Sequence, residues 1–244
     1  MDIDYSPNNI NFKGGTVIIA GAGPGDLKLL TLKTLIAIKS ADILIYDSLV
    51  NKEVLNYSKK DSKKIFAGKT KTNKACSQED INYWLVKFAK MNKRVLRLKG
   101  GDISFFSRGS QEIDFLKKYK IKFKIFSGIT SAQSATENYF NPQKNFNDCL
   151  NLITGHKRLK SMNKDINYKY LVKTNGKTII YMGVSQINLI SNNLIKNGMK
   201  KNTKVFIVTN SSRKNQKTYE TTLIDTSKFM KKHNVKPPSI IIIN

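Results

Sequence analysis

Apolar residues fall along this chain in short runs of two kinds. Thr16-Val17-Ile18-Ile19-Ala20 is an unbroken, β-branched apolar run ending in glycines, the pattern of a buried strand that enters a tight turn. Leu29, Leu30, Leu32, Leu35, Ile36 and Ile38 then recur at helical spacing, and residues 41–46 return to strand character before Asp47. The alternation continues with a helix expected over 80–89 and a strand over 94–98 that stops at Lys99-Gly100-Gly101-Asp102. A helix over 113–119 and a strand over 123–126 follow. Strands separated by helices predict an α/β fold, a mostly parallel sheet covered by helices, with ligands taken at the carboxyl ends of the strands.

Residues 138–148 are rich in Asn and lose periodicity, so a linker is expected there. This divides the chain into an N-terminal extension (1–14), an α/β domain (15–137), the linker (138–148) and a second α/β domain (149–244). In the second domain, strands are expected over 150–154, 178–182, 204–209 and 239–243, with a helix over 186–196. The polar stretch 157–175 has little apolar period and reads as a loop or irregular insert. No internal repeat is visible.

Composition narrows the picture. A 40% hydrophobic and 25% charged chain of 244 residues is that of a soluble globular protein, and no stretch approaches the roughly 20 apolar residues of a membrane span. The start Met1-Asp2-Ile3-Asp4-Tyr5 lacks the basic-then-apolar order of a secretory signal, so a cytoplasmic protein is expected. Cys76 and Cys149 stand 73 positions apart with no Cys or His at ligand spacing, so plain thiols are expected, with no metal. The formal charge of +26 comes from 38 Lys and only 5 Arg, beside 25 Asn, spread along the chain rather than gathered in a block. That distribution describes a solvated basic surface, whose field would still favour an acidic substrate.

The chemistry gathers at strand ends. Gly21-Ala22-Gly23-Pro24-Gly25-Asp26 has half of a dinucleotide fingerprint, but Asp26 stands where a third small residue is wanted and would repel a pyrophosphate. A plain strand-to-helix turn, a nucleotide phosphate site and a site for another ligand all remain open on these residues alone. Further polar or glycine-bearing segments follow: Tyr46-Asp47-Ser48-Leu49-Val50, Gly68-Lys69, Gln78-Glu79-Asp80-Ile81-Asn82, Leu98-Lys99-Gly100-Gly101-Asp102, Arg108-Gly109 and Gly128-Ile129-Thr130-Ser131-Ala132. In this order and at these intervals they resemble the uroporphyrinogen-III C-methyltransferases of the tetrapyrrole methylase family. The resemblance is strong over 15–135 and thinner beyond, where Thr154-Gly155-His156, Tyr181-Met182-Gly183 and residues 209–216 are similar to family landmarks.

The resemblance implies a two-domain tetrapyrrole methylase fold, each domain a mixed or mostly parallel sheet with flanking helices and the active site in the inter-domain cleft. It implies S-adenosyl-L-methionine as cofactor, with S-adenosyl-L-homocysteine as product, held by Pro24, Gly100, Gly101, Asp102, Phe105, Thr130 and Ser131 of the first domain and by Met182 and Ser211 of the second. Without it, Met182 would read as a core methionine at a strand end, and Gly100-Gly101 as a tight turn. The implied reaction is C-methylation of uroporphyrinogen III at carbons 2 and 7 to give precorrin-2, on the sirohaem and cobalamin branch. Asp47 matches the position proposed to accept a proton and Lys69 one proposed to donate it; on sequence alone they are an Asp opening a turn and a surface Lys. Arg108, a rare Arg in a Lys-rich chain, is the leading partner for the substrate's carboxylates, or else a surface ion-pair residue.

Family members are commonly homodimers, so a homodimer is expected. The chain ends soon after the second domain, so a separate protein is expected to oxidise precorrin-2. Two alternatives stay open: a methyltransferase of the same fold acting on a later corrin intermediate or on ribosomal RNA, and a non-catalytic basic RNA-binding protein, although no aromatic-interleaved basic patch supports the latter. The chain departs from the family at Ile103 (usually Pro), Ser107 (usually Gly) and Gln111 (usually acidic), with Glu112 retained. The segment Pro142-Gln143-Lys144-Asn145-Phe146 lacks the family's Arg, whose charge Lys144 would offset in part. A persistent cofactor site with altered substrate handling is the expectation.

Overall fold

The structure, a computed structural model, describes residues 5–68, 76–137, 149–155 and 166–244. Contacts divide the chain into two units, Met1–Ser131 and Ala132–Asn244. The expected linker, 138–148, lies outside the described residues.

In the first unit, β1 (Thr16–Gly21), α1 (Leu32–Ser40), β2 (Ile43–Tyr46), β3 (Lys63–Phe66), α2 (Gln78–Lys90), β4 (Val95–Lys99), α3 (Gly109–Lys118) and β5 (Lys122–Phe126) follow one another. The sheet runs β3-β2-β4-β1-β5, and every neighbouring pair is parallel. All six β1 residues are buried, which is why that strand is an unbroken apolar run rather than an alternating one. Alternate positions serve opposite faces: Ile18, Leu44, Leu96 and Leu98 pack with Ile36 and Ile38 of α1, while Val17, Ile19, Ile45 and Val95 pack with Ile81 and Leu85 of α2 and Leu116 of α3. Helix α2 begins with a capping box, the Ser77 hydroxyl accepting from the Asp80 amide while the Asp80 carboxylate accepts from the Ser77 amide.

Two features of this unit differ from the sequence expectation. Leu29 lies in a 3₁₀ turn (Leu27–Leu29), and α1 starts only at Leu32, where Thr31 caps it. Strand β3 was not anticipated, because Lys63 and Lys64 are exposed on an edge strand and mask the apolar pair Ile65-Phe66.

The second unit contains the six-residue α4 (Ser131–Thr136) from Ala132 onward, β6 (Leu150–Thr154), α5 (Tyr168–Lys173), β7 (Lys177–Tyr181), α6 (Ile187–Lys196), β8 (Lys204–Thr209), β9 (Lys217–Thr222), α7 (Thr226–Lys232) and β10 (Ser239–Ile243). Its sheet runs β6-β7-β10-β8-β9, with β6 and β7 parallel and the other pairs antiparallel. Residues of α5, α6 and α7 pack on one face, and Ala132 and Ala135 of α4 on the other, so the central β10 is buried on both sides and reads as four consecutive isoleucines.

Helix α5 corrects the expectation of a loop over 157–175. It is held by only two buried side chains, Tyr168 and Leu171, under an Asn167 cap, too few to show a period; residues 156–165 lie outside the described set. Strand β9 and helix α7 escaped notice for the same reason, α7 burying only Thr226 and Met230 among lysines. No helix among the described residues is long and apolar enough to cross a membrane.

At the amino end of the first sheet, Asp42 accepts hydrogen bonds from the Arg94 amide at 2.8 Å, from Arg94 Nη2 at 2.8 Å and from Lys59 Nζ at 2.7 Å. Partial burial pushes its carboxyl up, but the Arg94 and Lys59 hydrogen bonds outweigh that and hold it far below the usual carboxylate range. Its stabilisation is therefore complete above the unfolded-state value of about 4 and is lost as pH falls toward the folded-state value. Asp42→Asn should destabilise the protein at pH 7 by about 2 kcal/mol in urea unfolding followed by the fluorescence of the lone Trp84. The gap to the unsubstituted protein should close as the pH is lowered below about 4.

Candidate active site

Sheet order brings the ends of β4, β1 and β5 side by side, and a glycine follows or ends each of them. The Ala22 amide donates to Lys99 O at 2.8 Å, and Gly23 and Gly101 exchange amide-to-carbonyl hydrogen bonds of 3.2 and 2.7 Å, so the first turn continues the β1–β4 ladder beyond the sheet. A Cβ added at Gly21 would lie 2.5 Å from Gly101 O, and one added at Gly128 would lie 2.5 Å from the same oxygen. Three backbones thus approach more closely than any side chain permits. Asp102, buried beside them, ties two of the loops: its oxygens accept from the Ser104 amide at 2.6 Å and the Gly128 amide at 2.7 Å. Asp26, the residue that spoils the dinucleotide pattern, accepts from the Lys28 amide at 2.8 Å and caps the 3₁₀ turn.

Beside this junction, β4 carries two cations into the protein. Val95, Arg97 and Lys99 alternate with Leu96 and Leu98, so they face α2 and α3; Arg97 is 1% exposed and Lys99 5%. Glu112 of α3, 0% exposed, accepts from Arg97 Nε at 3.2 Å and from Lys99 Nζ at 3.0 Å through Oε1, with Gln78 Nε2 at 3.4 Å. Arg97 Nη2 donates at 2.6 Å to Oδ1 of Asp47, the residue just past β2. Lys99 Nζ lies 3.8 Å from Asp47 Oδ2, within ion-pair range but beyond a hydrogen bond. Burial pushes the Arg97 guanidinium down, but Glu112 and Asp47 outweigh that and keep it above its ordinary value. Two cations and two carboxylates balance, which is how charge is tolerated at such depth.

Of the residues singled out in the sequence, Asp47 sits at the partly open end of this cluster, its side chain 28% exposed. Lys69 lies outside the described residues, as do 142–146 with Lys144. Arg108 is exposed at the N-cap of α3, makes no side-chain capping bond and has no ion pair with a described residue. Pro24 is buried in the first turn, and Thr130 is buried in the segment that follows β5. Gly100 and Gly101 lie in the loop after β4, and a Cβ added at Gly101, where φ is +72°, would meet nothing nearer than the Ser131 amide nitrogen at 3.9 Å. Phe105 and Phe106 are exposed in the same loop, and Leu49, two residues after Asp47, is exposed in the loop after β2.

In the second unit, Met182 follows β7 with φ +51° and is 45% exposed, so it is not the core methionine its position at a strand end suggests. Ser211 is buried, with its hydroxyl 2.6 Å from that of Ser134. The departures at Ile103 and Ser107 belong together: Ile103 packs into the apolar layer under α2 and α3, and the Ser107 hydroxyl donates to Ile103 O. Gln111 points to solvent. Sequence reasoning passed over Arg97 and Lys99; the available signal was Arg-x-Lys at alternate positions of an otherwise apolar strand, two cations on one buried face that require carboxylates.

The described geometry agrees with three kinds of likeness. The family model for Tetrapyrrole (Corrin/Porphyrin) Methylases matches residues 16–226. The chain is 41% identical over 233 residues to a uroporphyrinogen-III C-methyltransferase of Methanocaldococcus jannaschii, covering 94% of this chain and 95% of that one. It is 34% identical to a siroheme synthase of Hydrogenovibrio crunogenus over 97% of its own length, spanning 50% of that longer protein. Its fold matches that of uroporphyrin-III C-methyl transferase from Thermus thermophilus, solved in complex with S-adenyl homocysteine, with a TM-score of 0.78, 26% identity, and coverage of 94% and 97% of the two chains.

Overfilling the glycine junction should be costly. Gly21→Ala and Gly128→Ala should each lower unfolding free energy by about 1–3 kcal/mol, read from Trp84 fluorescence in urea. Unchanged midpoints would show that the loops can part without loss.

Proposed function

The chain belongs to the tetrapyrrole (corrin/porphyrin) methylases, and on that footing we propose that it methylates uroporphyrinogen III at carbons 2 and 7, with S-adenosyl-L-methionine as donor, to give precorrin-2. The 41% identity across nearly the whole length of the Methanocaldococcus jannaschii protein is the observation that carries this reading. The cofactor reading has support of its own. The Thermus thermophilus protein of like fold was solved with S-adenyl homocysteine, and in this chain the backbone at Gly101 leaves room at the carboxyl edge of the sheet, where folds of this kind take their ligands.

In this proposal Pro24, Gly100, Gly101, Asp102, Phe105, Thr130, Ser131, Met182 and Ser211 hold the cofactor. Asp102, whose two carboxylate oxygens accept backbone amides, contributes through its main chain and by fixing the Gly128 loop. S-adenosyl-L-methionine supplies, when bound, a sulfonium methyl group whose carbon–sulfur bond breaks as the pyrrole carbon bonds to it, leaving S-adenosyl-L-homocysteine. Each pyrrole carbon is already an electron-rich nucleophile, so the chain's residues chiefly align it and manage charge and protons. Asp47 faces the positive charge that the methylated ring acquires and receives the proton it then sheds. Lys69 is the proposed proton donor, and Arg108, exposed and without an ion pair among the described residues, is available to a substrate carboxylate. The protein is proposed to act as a homodimer in the cytoplasm.

Incubating the protein with uroporphyrinogen III and methyl-labelled cofactor should place two labelled methyl groups on the tetrapyrrole, detected by mass spectrometry; an unlabelled tetrapyrrole would sink the proposal. Asp47→Asn should lower kcat roughly 100-fold or more while S-adenosyl-L-homocysteine still binds in calorimetry. Arg108→Ala should act on KM for the tetrapyrrole, raising it about tenfold with kcat nearly unchanged.

A further inference from the structure

We infer that Arg97 is a positioning residue for the reaction: its hydrogen bond to Oδ1 of Asp47 fixes where that partly exposed carboxylate stands. The inference rests on the proposed role of Asp47 and goes beyond it by assigning a function to a fully buried cation.

The guanidinium is committed on three sides. Its Nε donates to Glu112 Oε1 at 3.2 Å, Nη1 to Leu98 O at 3.1 Å and Ile45 O at 3.5 Å, and Nη2 to Asp47 Oδ1 at 2.6 Å. Glu112, Leu98 and Ile45 belong to α3, β4 and β2, regular elements of the unit, so the guanidinium cannot shift without breaking several bonds together. Asp47 is also held by its main chain, its amide donating to Leu98 O at 3.3 Å. Its carboxylate therefore has one anchored oxygen. The other, Oδ2, is 3.8 Å from Lys99 Nζ, close enough for attraction and too far for a hydrogen bond.

A purely structural cluster needs two carboxylates against Arg97 and Lys99, and Glu112, wholly buried, is one of them. What a structural role leaves unexplained is that the second is 28% exposed, at the open end of the cluster just past β2. Burying charge carries a desolvation cost that packing alone does not require, whereas holding a reacting group to a fraction of an ångström does require a rigid anchor.

The test is a double-mutant cycle between Arg97 and Asp47. Arg97→Lys keeps the charge, but one ammonium cannot serve Glu112, Asp47 and two carbonyls at once. It should lower kcat roughly 100-fold, with the KM for uroporphyrinogen III and the calorimetric Kd for S-adenosyl-L-homocysteine changed less than roughly threefold. Made on top of Asp47→Asn, the same substitution should change kcat by less than about twofold, because its effect passes through Asp47. Losses that multiply in the double variant, or a loss carried by KM or by cofactor binding, would overturn the assignment.

If Arg97→Lys does not melt cooperatively, Glu112→Gln takes its place in the cycle, removing the charge that anchors the guanidinium while leaving the Asp47 contact, and the same non-additive pattern is expected. A parent protein that leaves the tetrapyrrole unlabelled overturns the proposed function and this inference with it; an active parent with multiplicative losses overturns this inference alone.

Discussion

Burial of a parallel sheet on both faces governs the first unit. With α1 on one side and α2 and α3 on the other, every residue of β1 and β4 is enclosed, and the faces of these central strands have no room for a ligand. Polar chemistry is left the carboxyl edge, where strands give way to loops. The glycines ending or following β1, β4 and β5 converge because those strands are neighbours in space, although they are far apart in the chain.

The two ends of the sheet use charge differently. At the amino end, Asp42 gathers Arg94 and Lys59 into a partly solvated clamp whose role is cohesion. At the carboxyl end, Arg97, Lys99 and Glu112 are sealed from water and only Asp47 reaches outward. An ion cluster at that depth gains stability only if every member stays paired, so the same network that makes a rigid platform makes each of its residues hard to replace.

How much of this the sequence discloses depends on how many buried side chains each element carries. β1, β4 and β10 are continuous apolar runs and could be read directly, whereas β3, β9, α5 and α7 each bury few side chains amid lysines and left no period. The glycine turn and Asp47 could be singled out because they match a family pattern, and Asp26 spoke against a dinucleotide. Arg97 and Lys99 were passed over because they look like two more members of a Lys-rich surface until the pleat places them inward beside Leu96 and Leu98. The partner that makes their burial tolerable, Glu112, stands on a different element and can be paired with them only in three dimensions.

The strand order also bears on how the first unit is assembled. β1 and β2 are consecutive strands joined through α1, yet they do not pair: β4 lies between them, and β1's other neighbour is β5. A growing chain that has made β1, α1 and β2 therefore has helices and apolar strands but no ladder between those strands, and must keep Val17, Ile18 and Ile19 from other partners until β4 is available. The reciprocal Gly23–Gly101 bridge can close only after that insertion. The earliest-encoded part of the proposed cofactor site is thus given its shape late in folding, by a strand far downstream.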